Sequence, residues 1–268
     1  MGGLVAHAEE GGGRVNRSKL HWLEGDGLPK GCMIIEAVPG VGNVGKLVVD
    51  GLLHKHPSRT LGWMLHPDFP PHATMDSEGL IRPPRIEISS ILLADGSNLV
   101  VITGMMQPMT AAGQFEVSES MLELAADSES PNMLVLAGLA TGPEEHSIHV
   151  ICSDSKVRSS LESSDITVSR GQPEGGMIGM AGMILSLAPT LGVPAVGIVA
   201  DTIGTSSDVL AANRLARWVE EAFGIPLELD LDTTEQTAVR LMEAIDPSDS
   251  IEDHLGADEA EVSADFYV

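Results

Sequence analysis

The chain has 268 residues and a formal net charge of −24 at neutral pH, from 15 Lys+Arg against 39 Asp+Glu. That balance argues against a nucleic-acid binder, which needs cations to displace phosphate counterions. The few aromatics (three Trp, one Tyr, four Phe) also leave little for a base-stacking platform.

The length allows one large domain or two small ones, and roughly three quarters of the unfolded surface can be buried without a disulfide or metal staple. Cys32 and Cys152 stand in apolar runs. They read as small buried hydrophobes of a reducing compartment. No run approaches the ~18–20 apolar residues of a membrane span, and residues 1–20 lack an apolar signal core. The expected location is the cytoplasm, with no membrane partner. The acid excess fits either a partner with a basic surface or a saline environment, and Arg exceeds Lys by 10 to 5.

Residues 1–27 are Gly-rich and polar and read as a flexible lead, partly ordered near Leu20-His21-Trp22-Leu23. Cys32 to Val38 is a short buried strand. Val44, Leu47, Val48, Gly51 and Leu52 then follow with the stripe of an amphipathic helix. Leu61 to Leu65 is a second strand, which makes a βαβ unit and hence a parallel sheet. Ile86 to Ala94 and Asn98 to Thr103 flank Asp95-Gly96, a hairpin signal in which both central residues take φ > 0. The sheet is therefore mixed.

Thr110 to Ala126 is a helix with Phe115, Met121, Leu122 and Ala125 on one face. Met133 to Leu139 and Ser147 to Ser153 are strands. Gly179 to Leu191 is an apolar helix, with small residues that admit a close neighbour and Pro189 ending it early. Ala195 to Ala200 is a strand. Ser207 to Phe223 is an amphipathic helix stopped by Gly224. Asp232 opens a last helix with Glu235 three residues on, and its stripe is Ala238, Leu241, Met242 and Ile245. Residues 28–246 read as one α/β domain, and 247–268 as an acidic disordered tail without Lys or Arg.

Gly40, Gly42 and Gly45 form a G-x-G-x-x-G run between a strand and a helix, the context of dinucleotide binding. A pyrophosphate would sit on the helix N-terminus, where glycine allows close approach. The ribose would then need an acid after the second strand. Asp68 is the candidate, and it lies past Pro67 in a Pro/His-rich loop. A tight strand-to-helix turn explains the same glycines without a ligand.

His146 and His149, and His54 with His56, have spacings that suggest a metal pair. Neither pair is expected to converge, the first because i and i+3 point apart on a strand. No G-x-S-x-G elbow is present. No catalytic residue, metal or cofactor is expected. Met180 and Met183 read as core, whereas Met105, Met106 and Met109 could equally form an adaptable binding surface, and Met177 adds to this density.

The end of the sequence carries the other signal, Asp265-Phe266-Tyr267-Val268, in which the one tyrosine of the chain stands next to last. A hydrophobe, a tyrosine and any residue at a free C-terminus form the motif that proteasome activators and assembly factors dock into pockets between α-ring subunits. A pocket lysine can pair with the terminal carboxylate, and the phenol adds a hydrogen bond and apolar area. Phe266-x-Val268 also suits a PDZ groove.

EAVPGVGNVGKLVVDGLL, IRPPRIEI, LAGLATGP, GMIGMAGMILSLAPTLGVPAVGIVADT and SDVLAANRLARWVEEAFGIPLELD, in this order over about Ile34 to Ala244, resemble the proteasome assembly chaperone family, especially its archaeal members. The resemblance implies a three-layer α/β/α domain with a mixed, mainly parallel sheet, similar to phosphorylase-like folds. It also implies no known catalysis and a structural role for the glycine loop. The function expected is a non-enzymatic, homo-oligomeric chaperone or activator of the proteasome core particle, binding α-ring subunits through Phe266, Tyr267 and Val268. The alternative is a nucleotide- or phosphate-binding α/β enzyme using Gly40, Gly42 and Gly45.

Overall fold

The computed structural model describes residues 16–229 except Glu24, Ser77, Thr205 and Ser206. The elements are β1 (Lys19–Trp22), β2 (Met33–Ala37), α1 (Val44–Lys55), β3 (Ser58–Leu65), β4 (Thr74–Met75), β5 (Ile81–Arg82), β6 (Ile86–Leu92) and β7 (Asn98–Gly104). They continue with α2 (Ala111–Asp127), β8 (Met133–Ala140), β9 (Ile148–Cys152), α3 (Ser155–Ser163), α4 (Gly179–Leu187), β10 (Ala195–Thr202) and α5 (Val209–Phe223). Eight strands form one sheet in the order β1-β3-β6-β7-β2-β8-β10-β9, and β4 and β5 make a separate small hairpin.

β7, β2, β8 and β10 run parallel as adjacent strands. β3, β6 and β7 alternate in direction, β1 adds antiparallel to β3, and β9 adds antiparallel to β10. The unit β2–α1–β3 is parallel in direction, as its spacing implies. But β3 is not beside β2: β7 and β6 lie between them.

Side chains alternate across a strand, so each central strand feeds two cores. On one side Ile35, Val101, Leu134 and Ile198 meet Leu47, Val48 and Leu52 of α1, Leu215 and Val219 of α5, and Val157 and Leu161 of α3. On the other, Ile34, Ile102 and Val135 meet Val117 and Met121 of α2 and Met180 and Ile184 of α4. Each such aliphatic side chain contributes roughly 1.5–3 kcal/mol when fully buried. The sheet lies between two helical layers, which is an α/β/α architecture.

Several boundaries differ from the sequence reading, each for a local reason. Lys19–Trp22 lies in the stretch read as a flexible lead, yet it pairs with Gly62–Leu65 as an edge strand. Arg17 reinforces it: the guanidinium donates to Asp68 at 3.0 and 2.9 Å and to Glu116 at 2.9 Å. The β6–β7 turn needs only Gly96 at positive φ (+85°). Gly96 N donates to Leu93 O at 3.0 Å and Leu93 N to Ser97 O at 2.9 Å, so Ala94-Asp95-Gly96 is a three-residue loop with glycine in the left-handed position.

Phe115 is only half-buried, and Glu116 and Val117 turn inward instead. The apolar helix from Gly179 stays α-helical to Leu187 and finishes as a 3-10 turn over Ala188–Leu191, with Pro189 in its first turn. Gly224 stops α5 at φ +63°. The helix expected from Asp232 and the tail 247–268 lie outside the described residues.

Candidate functional site

The glycine-rich turn joins β2 to α1 at the carboxyl end of the parallel strands, where open α/β sheets place their ligands. Gly40 is exposed. Val41–Asn43 forms a single 3-10 turn, with Gly42 at φ +62° and Asn43 at φ +48°.

The space left by each missing Cβ is used by the chain itself. A Cβ on Gly42 would stand 2.6 Å from Thr202 Oγ1, and one on Gly45 would meet the backbone carbonyl of Leu136 in β8. Gly138 of β8 likewise leaves room for the Val41 carbonyl. The turn is then tied down by two residues that the motif does not include. Asp208 N donates to Gly42 O at 2.8 Å, and Thr202 Oγ1 donates to Asp208 Oδ2 at 2.7 Å. Asp208 Oδ1 also caps α5 by accepting from Ala211 N at 2.9 Å. The visible signal for Asp208 was its place at the head of a helix. Thr202 had none.

Asp68, the acid considered for a ribose, is held by Arg17 and by the Thr110 hydroxyl, and these partners keep its carboxyl below the usual carboxylate range. Glu116 lies in the same cluster. His66 Nε2 is 2.9 Å from Glu116 Oε2 while His66 Nδ1 accepts from Asp68 N at 3.1 Å, so Nε2 carries the proton and donates. That bond, with Arg17 beside it, pulls the Glu116 pKa down to about 2. Asn16 and Arg17 both bond residues of this cluster, so it fastens the start of β1 to α2.

The histidine pairs do not converge. His146 is exposed in the β8–β9 loop. His149 Nε2 lies 2.9 Å from Asp201 Oδ1, and Ser147 N donates to Asp201 Oδ2 at 2.8 Å, a link between β9 and β10. His54 is exposed, whereas His56 is buried with Nε2 2.7 Å from Leu227 O. Met180 is fully buried, Met183 is half-buried, and Met105 and Met109 are exposed beside the glycine turn. Gln107 links their loop to its neighbours by donating to Pro39 O at 2.6 Å and accepting from Met180 N at 3.1 Å. Phe266, Tyr267 and Val268 lie outside the described residues.

The family model of PAC2 matches residues 34–247. The chain belongs to the PAC2 family. An uncharacterized protein of Methanocaldococcus jannaschii is 25% identical over 183 residues, 68% of this chain and 69% of that one. The PAC2 architecture recurs in solved structures. The Pyrococcus furiosus protein PbaB, described as an archaeal proteasome activator, aligns with a TM-score of 0.71 at 19% identity, covering 88% of this chain and all of that one. PbaA of the same organism, an archaeal homolog of proteasome-assembly chaperone, gives 0.65 at 19% identity over 87% and 100%. A Mycobacterium tuberculosis proteasome-assembly chaperone homologue gives 0.60 at 17% identity over 81% and 97%. At these identities the likeness to solved structures is one of fold. Among the described residues of this PAC2 chain, no helix is long and apolar enough to cross a membrane.

Proposed function

We propose that this chain is a non-enzymatic proteasome assembly chaperone or activator that docks its C-terminal tail into α-ring pockets of the core particle. The observation that carries the reading is Phe266-Tyr267-Val268, with the one tyrosine of the chain in the penultimate position. The activator and chaperone homologues of like fold support it. So does the glycine turn, whose residues Gly42 and Gly45 are accounted for by contacts with Thr202 and Leu136. Val268 supplies a carboxylate for a pocket lysine, Tyr267 a phenol, and Phe266 apolar area. The acidic stretch that ends in them, about 22 residues long, serves as a leash with an r.m.s. reach of ~25 Å. Several tails on one oligomer bind by avidity without strong single-tail affinity.

The test is a pull-down of proteasome α subunits with the full chain. Tyr267→Ala, or deletion of Phe266 to Val268, is expected to abolish or strongly weaken capture without changing the circular dichroism spectrum. Equal capture by the truncated and full chains would sink the tail reading and leave any contact to the α/β domain.

A further inference from the structure

Large apolar side chains are exposed at one end of the sheet, five of them on the loops around the glycine turn. Met105 follows β7, Met109 precedes α2, Ile203 follows β10, Leu210 lies in the first turn of α5, and Ile178 precedes α4. Ile178 is 95% exposed and Leu210 70%. The loops that bear them are tied together: Gln107 bonds Pro39 and Met180, and Asp208 bonds Gly42. Isolated exposed hydrophobes are ordinary, but several on linked loops mark an interaction surface.

Charge is sparse in these loops, where Asp208 is engaged with Thr202 and Ala211. Residues 38–43, 104–110, 175–179 and 203–207 contain no Asp, Glu, Lys or Arg, in a chain with 39 acids. The segments around them differ, since exposed Glu144 and Glu145 stand in the β8–β9 loop, Glu78 on the β4–β5 hairpin and Glu174 before α4. A basic partner would be drawn to the acidic surface and gains nothing from this one. A second copy of the chain carries the same −24 and approaches at least electrostatic cost where acids are sparse. The position suits that occupant too. The chain leaves the described region at Leu229, two residues past Leu227, whose carbonyl meets His56 at the far end of α1. A 12-residue helix is about 18 Å long, so the described chain ends at the side of the domain away from the glycine turn.

We propose that this loop surface, at the carboxyl ends of β7, β2, β8 and β10, is the face through which copies of this chain associate. The proposal rests on the reading that the protein works as an oligomer with several tails.

Sedimentation velocity on the full chain at micromolar concentrations tests it. Ile178→Asp and Leu210→Asp are each expected to raise the dissociation constant at least about tenfold while the melting temperature holds, because both side chains are exposed. Leu92→Asp, at an exposed position where β6 ends at the other end of the sheet, should leave the mass of the assembly unchanged, as should deletion of Phe266 to Val268. A monomeric wild type overturns the proposal. So does an assembly that survives both face substitutions, or one that Leu92→Asp dissociates equally. If the face variants stay oligomeric while the tail deletion loses the α-ring, the tail reading stands and this face is not the interface. If the face variants lose the α-ring but keep their mass, the surface belongs to the ring and the proposal also falls.

Discussion

Glu36 sits in the middle of the sheet, between Ile102 of β7 and Val135 of β8, and is fully buried. Its Oε1 finds no hydrogen-bond partner among the described residues. Burial pushes its pKa up to about 8, since a carboxylate in an apolar layer loses its hydration. The folded state therefore keeps a proton that the unfolded chain releases near pH 4.5, and stability falls as pH rises from about 4.5 to about 8. Glu116 acts in the opposite sense. Its pKa, lowered to about 2 by His66 and Arg17, gives stability that is present above about pH 4.5 and lost as pH falls toward 2. Urea melts across pH should show both limbs. Glu36→Met is expected to flatten the alkaline limb and to raise stability at pH 8 by about 1–3 kcal/mol. A wild-type slope that persists in Glu36→Met would assign the alkaline limb to another group.

At the scale of elements, the β2–α1 turn shows how a motif can be shared by two structures. G-x-G-x-x-G describes a dinucleotide loop, and here the same residues serve α1–β8 packing. Gly→Ala within a helix normally stabilises by about 1 kcal/mol. At Gly45 the added methyl would press on the Leu136 carbonyl, in backbone that cannot rotate away. Overpacking of this kind costs about 1–3 kcal/mol and should win. Gly45→Ala is expected to lower the melting temperature, whereas nicotinamide and flavin nucleotides at millimolar concentration should not raise that of the wild type. A nucleotide at one hundred times its Kd would stabilise by about 2.7 kcal/mol, so a clear thermal shift would restore the dinucleotide reading.

Elements with a strong local signature were legible in order: β2, α1, β8, β10 and α5 fall where apolar spacing and capping place them. β1 was legible only as partial order near Leu20–Leu23, because alternation over the four residues Lys-Leu-His-Trp is too short a signal and its partner lies some forty positions away in β3. α3 carried a usable signal that serine content obscured. Asp154 caps it by accepting from Lys156 N and Val157 N, and Val157 and Leu161 stand four apart.

On the scale of the whole molecule, charge sets the conditions under which copies can meet. A −24 chain repels its neighbours over a Debye length that shrinks from about 10 Å at 0.1 M salt to about 3 Å at 1 M. Association through an uncharged face should therefore strengthen with added NaCl, seen as a rising weight-average mass in sedimentation. The proposed capture by the α-ring should weaken over the same range where it rests on pairing of the acidic chain with basic groups. A mass that falls with salt would mean that the contact between copies is ionic.

Periodicity, capping residues and composition act over a few residues, and they determined the α/β class, most of the elements and the tail motif from the sequence by itself. Which strands become neighbours depends on contacts between distant segments. Only the tertiary structure decided that β6 and β7 insert between β3 and β2, that Arg17 clasps Asp68 and Glu116, and that Thr202 and Asp208 complete the glycine turn. The exposed end of the sheet belongs to that second group. Met105, Ile178, Ile203 and Leu210 are apolar residues like those of the core, and only the packing of their loops leaves them facing solvent.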